Sequence, residues 1–153
     1  MATGYMDNVN EVYEALCELV EDADLSNTSG YGVKFVKRAL PAHFGPGHCP
    51  LIAIFKDELS ERNVDTDQED VQAPEKLKVI VGISDFSAVD LDDAGTKTDD
   101  LINQLITLFE TDPSLGGLGG GIEITRIGFS SDNRSDVWFS EPSMEIEILC
   151  KNL

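Results

Sequence analysis

Positive charge is what this chain most lacks. Its 153 residues hold 11 Lys and Arg against 29 Asp and Glu, a formal net charge of −18 at pH 7. Such a chain repels nucleic acid and anionic lipid, which argues against phosphate-backbone binding as a main task. Cysteine is sparse too. Cys17, Cys49 and Cys150 are odd in number, far apart and in no CxxC pair, which leaves core or free thiols rather than a disulfide framework or a zinc knuckle. No apolar run approaches the roughly 18 residues of a membrane span, and no basic region followed by an apolar run opens the chain. The expectation is a soluble protein made inside a cell.

What is present is globular: 41% hydrophobic and 26% charged residues are not the composition of a disordered tail. The length suits one domain over residues 1–153, enough to close a core without staples. The acids are spread along the chain, not gathered in one terminal block. Spread acidity with few lysines fits an extreme halophile, since salt screens self-repulsion to roughly 3 Å at 1 M. An acidic mesophilic protein is the plainer alternative.

Asp7 reads as an N-cap, with Val9, Val12, Tyr13, Leu16 and Val20 at helical spacing behind it, giving a first helix over about 8–23. Asp24 to Gly30 has turn chemistry. Val33 and Phe35 alternate with basic residues in a strand, and Leu51 to Phe55 makes a second. Residues 57 to 75 are rich in Asp and Glu and poor in apolar residues, a long acidic loop beginning near residue 56. The alternation of Leu77, Val79, Val81 and Ile83 marks a third strand. Thr98 is placed to cap a second helix with Asp99 and Asp100 in its first turn. Leu101, Ile102, Leu105, Ile106, Leu108 and Phe109 make that helix strongly apolar, and it stops at Asp112-Pro113. Two strands, about 122–130 and 137–149, close the chain around a turn at Ser131 to Ser135, with Pro142 breaking or bulging the last one. The fold class is therefore α+β, ordered α-β-β-β-α-β-β, with a mixed, mainly antiparallel sheet of about four to five strands packed against two helices.

Few motifs carry chemistry. The glycines at 116, 117, 119, 120 and 121 follow a helix and precede a strand, the reverse of a dinucleotide cradle. His43, His48 and Cys49 share one loop and are competent metal ligands, but no matching pair lies elsewhere. Asp90, Asp92 and Gly95 match a calcium loop at positions 1, 3 and 6, yet Ala94 and Leu101 stand at positions 5 and 12. A His48–Cys49 dyad is conceivable, though neighbours in sequence are not neighbours in side-chain space. Lys34, Lys37 and Arg38 concentrate positive charge on one strand, either a solvated face or a basic edge that meets an acidic neighbour in a self-assembling ring. Trp138 and Phe139 point to opposite faces of their strand.

The order of elements, together with Thr111-Asp112-Pro113-Ser114-Leu115-Gly116-Gly117 after the second helix, resembles tail terminator (tail completion) proteins of long-tailed phages. The sharpest piece looks like the family's D-P-T-L-G-G turn, with Ser114 replacing threonine. The resemblance implies a non-catalytic structural protein without cofactor or metal, a ring, usually hexameric, that caps the tail tube, stops its polymerisation and meets the neck or head. It would be made in host cytoplasm and reside in the virion tail or neck. With this acidity the source reads as a tailed virus of a haloarchaeon, with DNA passing an acidic lumen by charge repulsion and no membrane partner. The expected partners are further copies of the chain, the tail tube protein and a neck or head-completion protein. The candidate contacts are Lys34, Lys37, Arg38, Phe44, Leu115, Gly116 and Gly117. The acidic insertion at 57–75 and the glycines 119–121 depart from the family pattern and blur which loop meets which partner. Other readings are a different neck or tail-completion component, a halophilic cytosolic ligand-binding or regulatory domain, or an enzyme that uses His48 or Cys49.

Overall fold

A computed structural model describes residues 5–37, 45–60, 75–117, 119–134 and 136–150. Helix α1 (Tyr5–Asp22) forms because Val9, Val12, Tyr13, Leu16, Cys17 and Val20 recur on one stripe, and all six are buried. Asp7 falls inside its first turn and is not the cap. Helix α2 (Leu91–Thr111) begins earlier than its apolar run suggests. Asp90 is the N-cap, with Oδ1 accepting from the Asp93 N–H at 2.8 Å. Thr98, expected as the cap, is instead a core position, where its hydroxyl lies 2.7 Å from that of Ser140. The buried stripe Ala94, Thr98, Leu101, Ile102, Leu105 and Phe109 starts with two small residues, so its first turns read as loop.

The strands are β1 (Lys34–Lys37), β2 (Leu51–Ser60), β3 (Glu75–Ser87), β4 (Gly119–Gly128), β5 (Ser131–Arg134), β6 (Val137–Ser140) and β7 (Ser143–Cys150). They form one seven-stranded sheet, α+β and mainly antiparallel as expected, but with more strands than four to five. The excess has a local cause. The terminal hairpin runs from β4/β5 to β6/β7, and each leg is interrupted, at 129–130 and at 141–142. The two interruptions are joined by Glu141 N–H to Ser130 O (2.8 Å), and the second is held to β3 by Ile83 N–H to Pro142 O (3.0 Å). Proline has no N–H to continue the ladder, so the last leg is split there into two strands. The hairpin turn is also shifted: Ser131–Arg134 is strand, register pairs Arg134 with Val137, and Asp136 takes a left-handed φ of 63°.

Only β1 and β2 are parallel; β2–β3, β3–β7, β3–β6, β4–β7 and β5–β6 are antiparallel. The order across the lower sheet is β1, β2, β3, β7, β4, which leaves β1 and β4 as opposite edges. Residues 57–60 and 75, expected in the acidic loop, belong to β2 and β3; the rest of that loop lies outside the described residues. A register shift between Lys56 and Glu58 breaks the alternation that would have revealed the longer strand.

Both helices cover one face. Ile52, Ile54, Leu77, Val79, Val81, Ile83, Met144, Ile146 and Ile148 meet the two helical stripes in one core cluster. Each such side chain, fully buried, contributes about 1.5–3 kcal/mol. Tyr13 enters this core and donates its hydroxyl to Ile54 O at 2.6 Å, so the one polar group it buries is satisfied. The opposite face carries charge, including Lys76–Glu147 and Lys78–Glu145 pairs at 3.9 Å.

At the far end of β3 the core turns polar. Asp85 is 1% exposed; its carboxylate accepts from Asn27 Nδ2 at 2.9 Å and from the Phe86 N–H at 2.8 Å. Beside it, the rings of Phe86 and Phe139 (6.3 Å apart) lie between Lys97, 5.7 Å from Phe86, and Arg134, 4.0 Å from Phe139. This stack ties α2 to the upper hairpin. Of the two neighbours on β6, Phe139 and not Trp138 is fully buried.

Candidate functional site

The basic strand forms one edge of the sheet. Lys34 and Lys37 are level with Leu51 and Ile54 of β2, and nothing pairs with the outer side of β1 among the described residues. Lys34 is exposed, and its ammonium donates to Gly47 O in the 3-10 turn Pro46–His48. Arg38 and Phe44 lie outside the described residues. The segment leading into β1 is braced by Asn27. Its Oδ1 accepts from the N–H groups of Ser29 and Tyr31 while its amide reaches Asp85, and Gln104 Nε2 holds Ser26 O at 2.8 Å. Tyr31 stands on this loop 68% exposed.

The Leu115-Gly116-Gly117 turn sits at the opposite edge, where the chain leaves α2 for β4. All three residues have positive φ, 52°, 69° and 93°. Asp112 organises the turn: its carbonyl accepts from Leu115 N–H at 3.3 Å and its Oδ1 from Gly116 N–H at 3.1 Å. Leu115 adopts a left-handed backbone disfavoured for a bulky residue and is 4% exposed, packed into the core cluster. The motif is thus a buried plug plus two exposed glycines. A Cβ at Gly116 or Gly117 would meet open space, so backbone angle alone favours glycine there.

A cleft of about 450 Å³ runs between α2 and β4, lined by Ile106, Phe109, Pro113, Ile122 and Ile124, with Glu110 and Glu123 among its walls. Residue-by-residue reading missed it, although Ile122 and Ile124 flank Glu123 in an alternating strand. That β4 lies at an edge, beneath a helix, is set by the pairing of distant strands. A second cleft of about 410 Å³ lies between α2 and the turn that follows α1, near Leu25, Gln104 and Leu108.

The chemical candidates separate. Cys49 is 7% exposed and its Sγ lies 3.6 Å from Ser84 Oγ, whereas His48 is exposed and its Nδ1 accepts from Gly45 N–H. Burial pushes the Cys49 thiol above its ordinary pKa, with the charges of Asp85 and Glu141 adding and the Ser84 contact and Lys34 opposing. His43 lies outside the described residues, and among the described residues no three His, Cys, Asp or Glu side chains are grouped to hold a metal ion. The partial calcium loop is the cap and opening turns of α2. No helix among the described residues is long and apolar enough to cross a membrane. What fold and surfaces define together is an α+β sheet with two unlike edges. No protein-family model matches the chain, and no curated protein sequence matches it.

Proposed function

We propose that this chain is a structural virion protein, a tail terminator of a haloarchaeal tailed virus. It assembles head-to-tail into a ring, six copies by the resemblance, that caps the tail tube, ends its polymerisation and joins the tail to the neck. The observation that carries the reading is the position of the two candidate contact groups. Lys34 and Lys37 lie on β1 and Leu115–Gly117 opens β4, at opposite edges of one sheet. Unlike surfaces on opposite sides suit a heterologous contact, the kind that builds rings, whereas a single self-complementary patch builds dimers. The net charge of −18 fits assembly in strong salt, where repulsion between copies is screened within roughly 3 Å at 1 M.

Mass measurement in molar salt and protein composition of purified virions test this. A closed ring that is a minor virion component is the expected result; a monomer at every salt concentration, absent from virions, sinks it. A different neck or tail-completion protein is separated from it by position in the virion. The cleft of about 410 Å³ between α2 and the turn after α1 favours, as a second reading, a ligand-binding regulatory domain. A thermal shift with a small molecule and no assembly would support that reading.

A further inference from the structure

We infer that neighbouring copies join by strand addition, β1 of one copy pairing antiparallel with the open edge of β4 in the next, so that the sheet continues from subunit to subunit. The inference rests on the ring reading and names its contact. β4 offers ten residues, Gly119–Gly128, hydrogen-bonded on one side to β7 and on the other to nothing among the described residues. An open edge next to a helix-walled apolar groove is the geometry that accepts an added strand: the ladder supplies affinity and the groove takes alternate side chains. Here the groove offers Ile106, Phe109, Ile122 and Ile124.

Charge selects the occupant. Glu110 lines the groove from α2, and Glu123 alternates with the core-packed Ile122 and Ile124 and so carries its charge on the opposite face of the same edge; neither has an ion-pair partner among the described residues. Glu123 stands directly opposite Glu147 in register, and Lys76, 3.9 Å from Glu147, is the one cation paired there among the described residues, so a further cation beside Glu123 is favoured. The fitting strand is short, apolar within and basic. In a chain with 11 basic residues, Lys34-Phe35-Val36-Lys37 has that pattern, and it is itself an open edge. Direction agrees as well. β1 runs with β2, against β3, with β7 and against β4. A copy in the same orientation therefore presents β1 antiparallel to β4, the better-bonded arrangement.

The test uses the full chain at the lowest salt that keeps the wild type assembled, with two edge variants, K34E/K37E and E110K/E123K. Each variant alone should assemble at least tenfold more weakly. Their equimolar mixture should recover an alternating ring, since β1 of each variant is then opposite in charge to β4 of the other while like copies repel; a mixture that stays as weakly assembled as either variant alone overturns the charge pairing. All four changes in one chain should restore the ring. Amide exchange on the wild type, assembled against diluted, reads the same contact without mutation, and β1 and β4 amides should slow at least tenfold. A ring whose β4 amides exchange as fast as in the single subunit overturns the strand addition but leaves the ring. Protection of β4 only when another virion protein is added overturns the choice of a second copy. A wild type that never assembles removes both readings.

Discussion

The two edges of the sheet are built differently. β1 is four residues long, basic and braced from behind: Lys34 reaches Gly47 O, its N–H donates to Pro50 O at 2.8 Å, and Asn27 ties the preceding loop to buried Asp85. β4 is ten residues long, walled by α2 and lined with isoleucine and glutamate. Hydrogen bonds to side chains hold the first edge in place, whereas the apolar plug Leu115 anchors the start of the second. A short braced edge and a longer grooved edge make the two sides of one subunit unlike, which is the asymmetry the proposed head-to-tail contact uses.

The contrast can be broken at several points. Leu115→Ala should cost the most, about 2–5 kcal/mol, because it empties a core site and frees the start of β4. Chemical denaturation reads the loss, and β4 amides should open before those of β1. Asn27→Ala should cost about 1–3 kcal/mol, since it removes an amide donor from the buried Asp85 carboxylate and the acceptor for Ser29 and Tyr31. Here the order of opening should reverse, with β1 loosening first. Gly117→Ala should cost about 1 kcal/mol from its φ of 93° alone, and because a methyl there meets open space within the subunit, unchanged assembly is the outcome if strand pairing by itself joins the copies. Loss of assembly without loss of stability would instead make this turn a direct contact.

The smallest effect is set by pH at Cys49. Its thiol pKa is raised in the fold, so the stability it contributes is fully present below the unfolded thiol's ordinary range and is lost as pH climbs through the folded value. Denaturation midpoints for wild type and Cys49→Ser should respond differently only on the alkaline side, and thiol reagents near neutral pH should label the protein at Cys49 only on unfolding. Rapid labelling of the native protein would contradict the burial described for this side chain.

Periodicity made α1, β3 and the second half of α2 legible, because each carries large apolar residues at a regular spacing, and Asp112-Pro113 marked the end of α2 correctly. The first turns of α2 stayed hidden because their core residues, Ala94 and Thr98, are small and sit among Asp92, Asp93 and Gly95. The far half of β2 was masked by its bulge at Lys56–Glu58 and by its charge. The upper hairpin was read two strands short because Ser131–Arg134 is polar enough to pass for a turn, while pairing with β6 makes it strand. At the candidate contacts, the basic run and the Leu-Gly-Gly turn were readable as residues. Their placement on opposite edges, and the groove beside β4, follow from which distant strands pair and have no local signature.

The central claim is that this chain works by joining unlike edges of identical subunits. Sedimentation of the purified full-length protein across a salt series from roughly 0.1 M to several molar tests it most directly. The account predicts a single closed oligomer that forms as salt rises and dissociates to monomer as salt falls. A monomer throughout the series would contradict it.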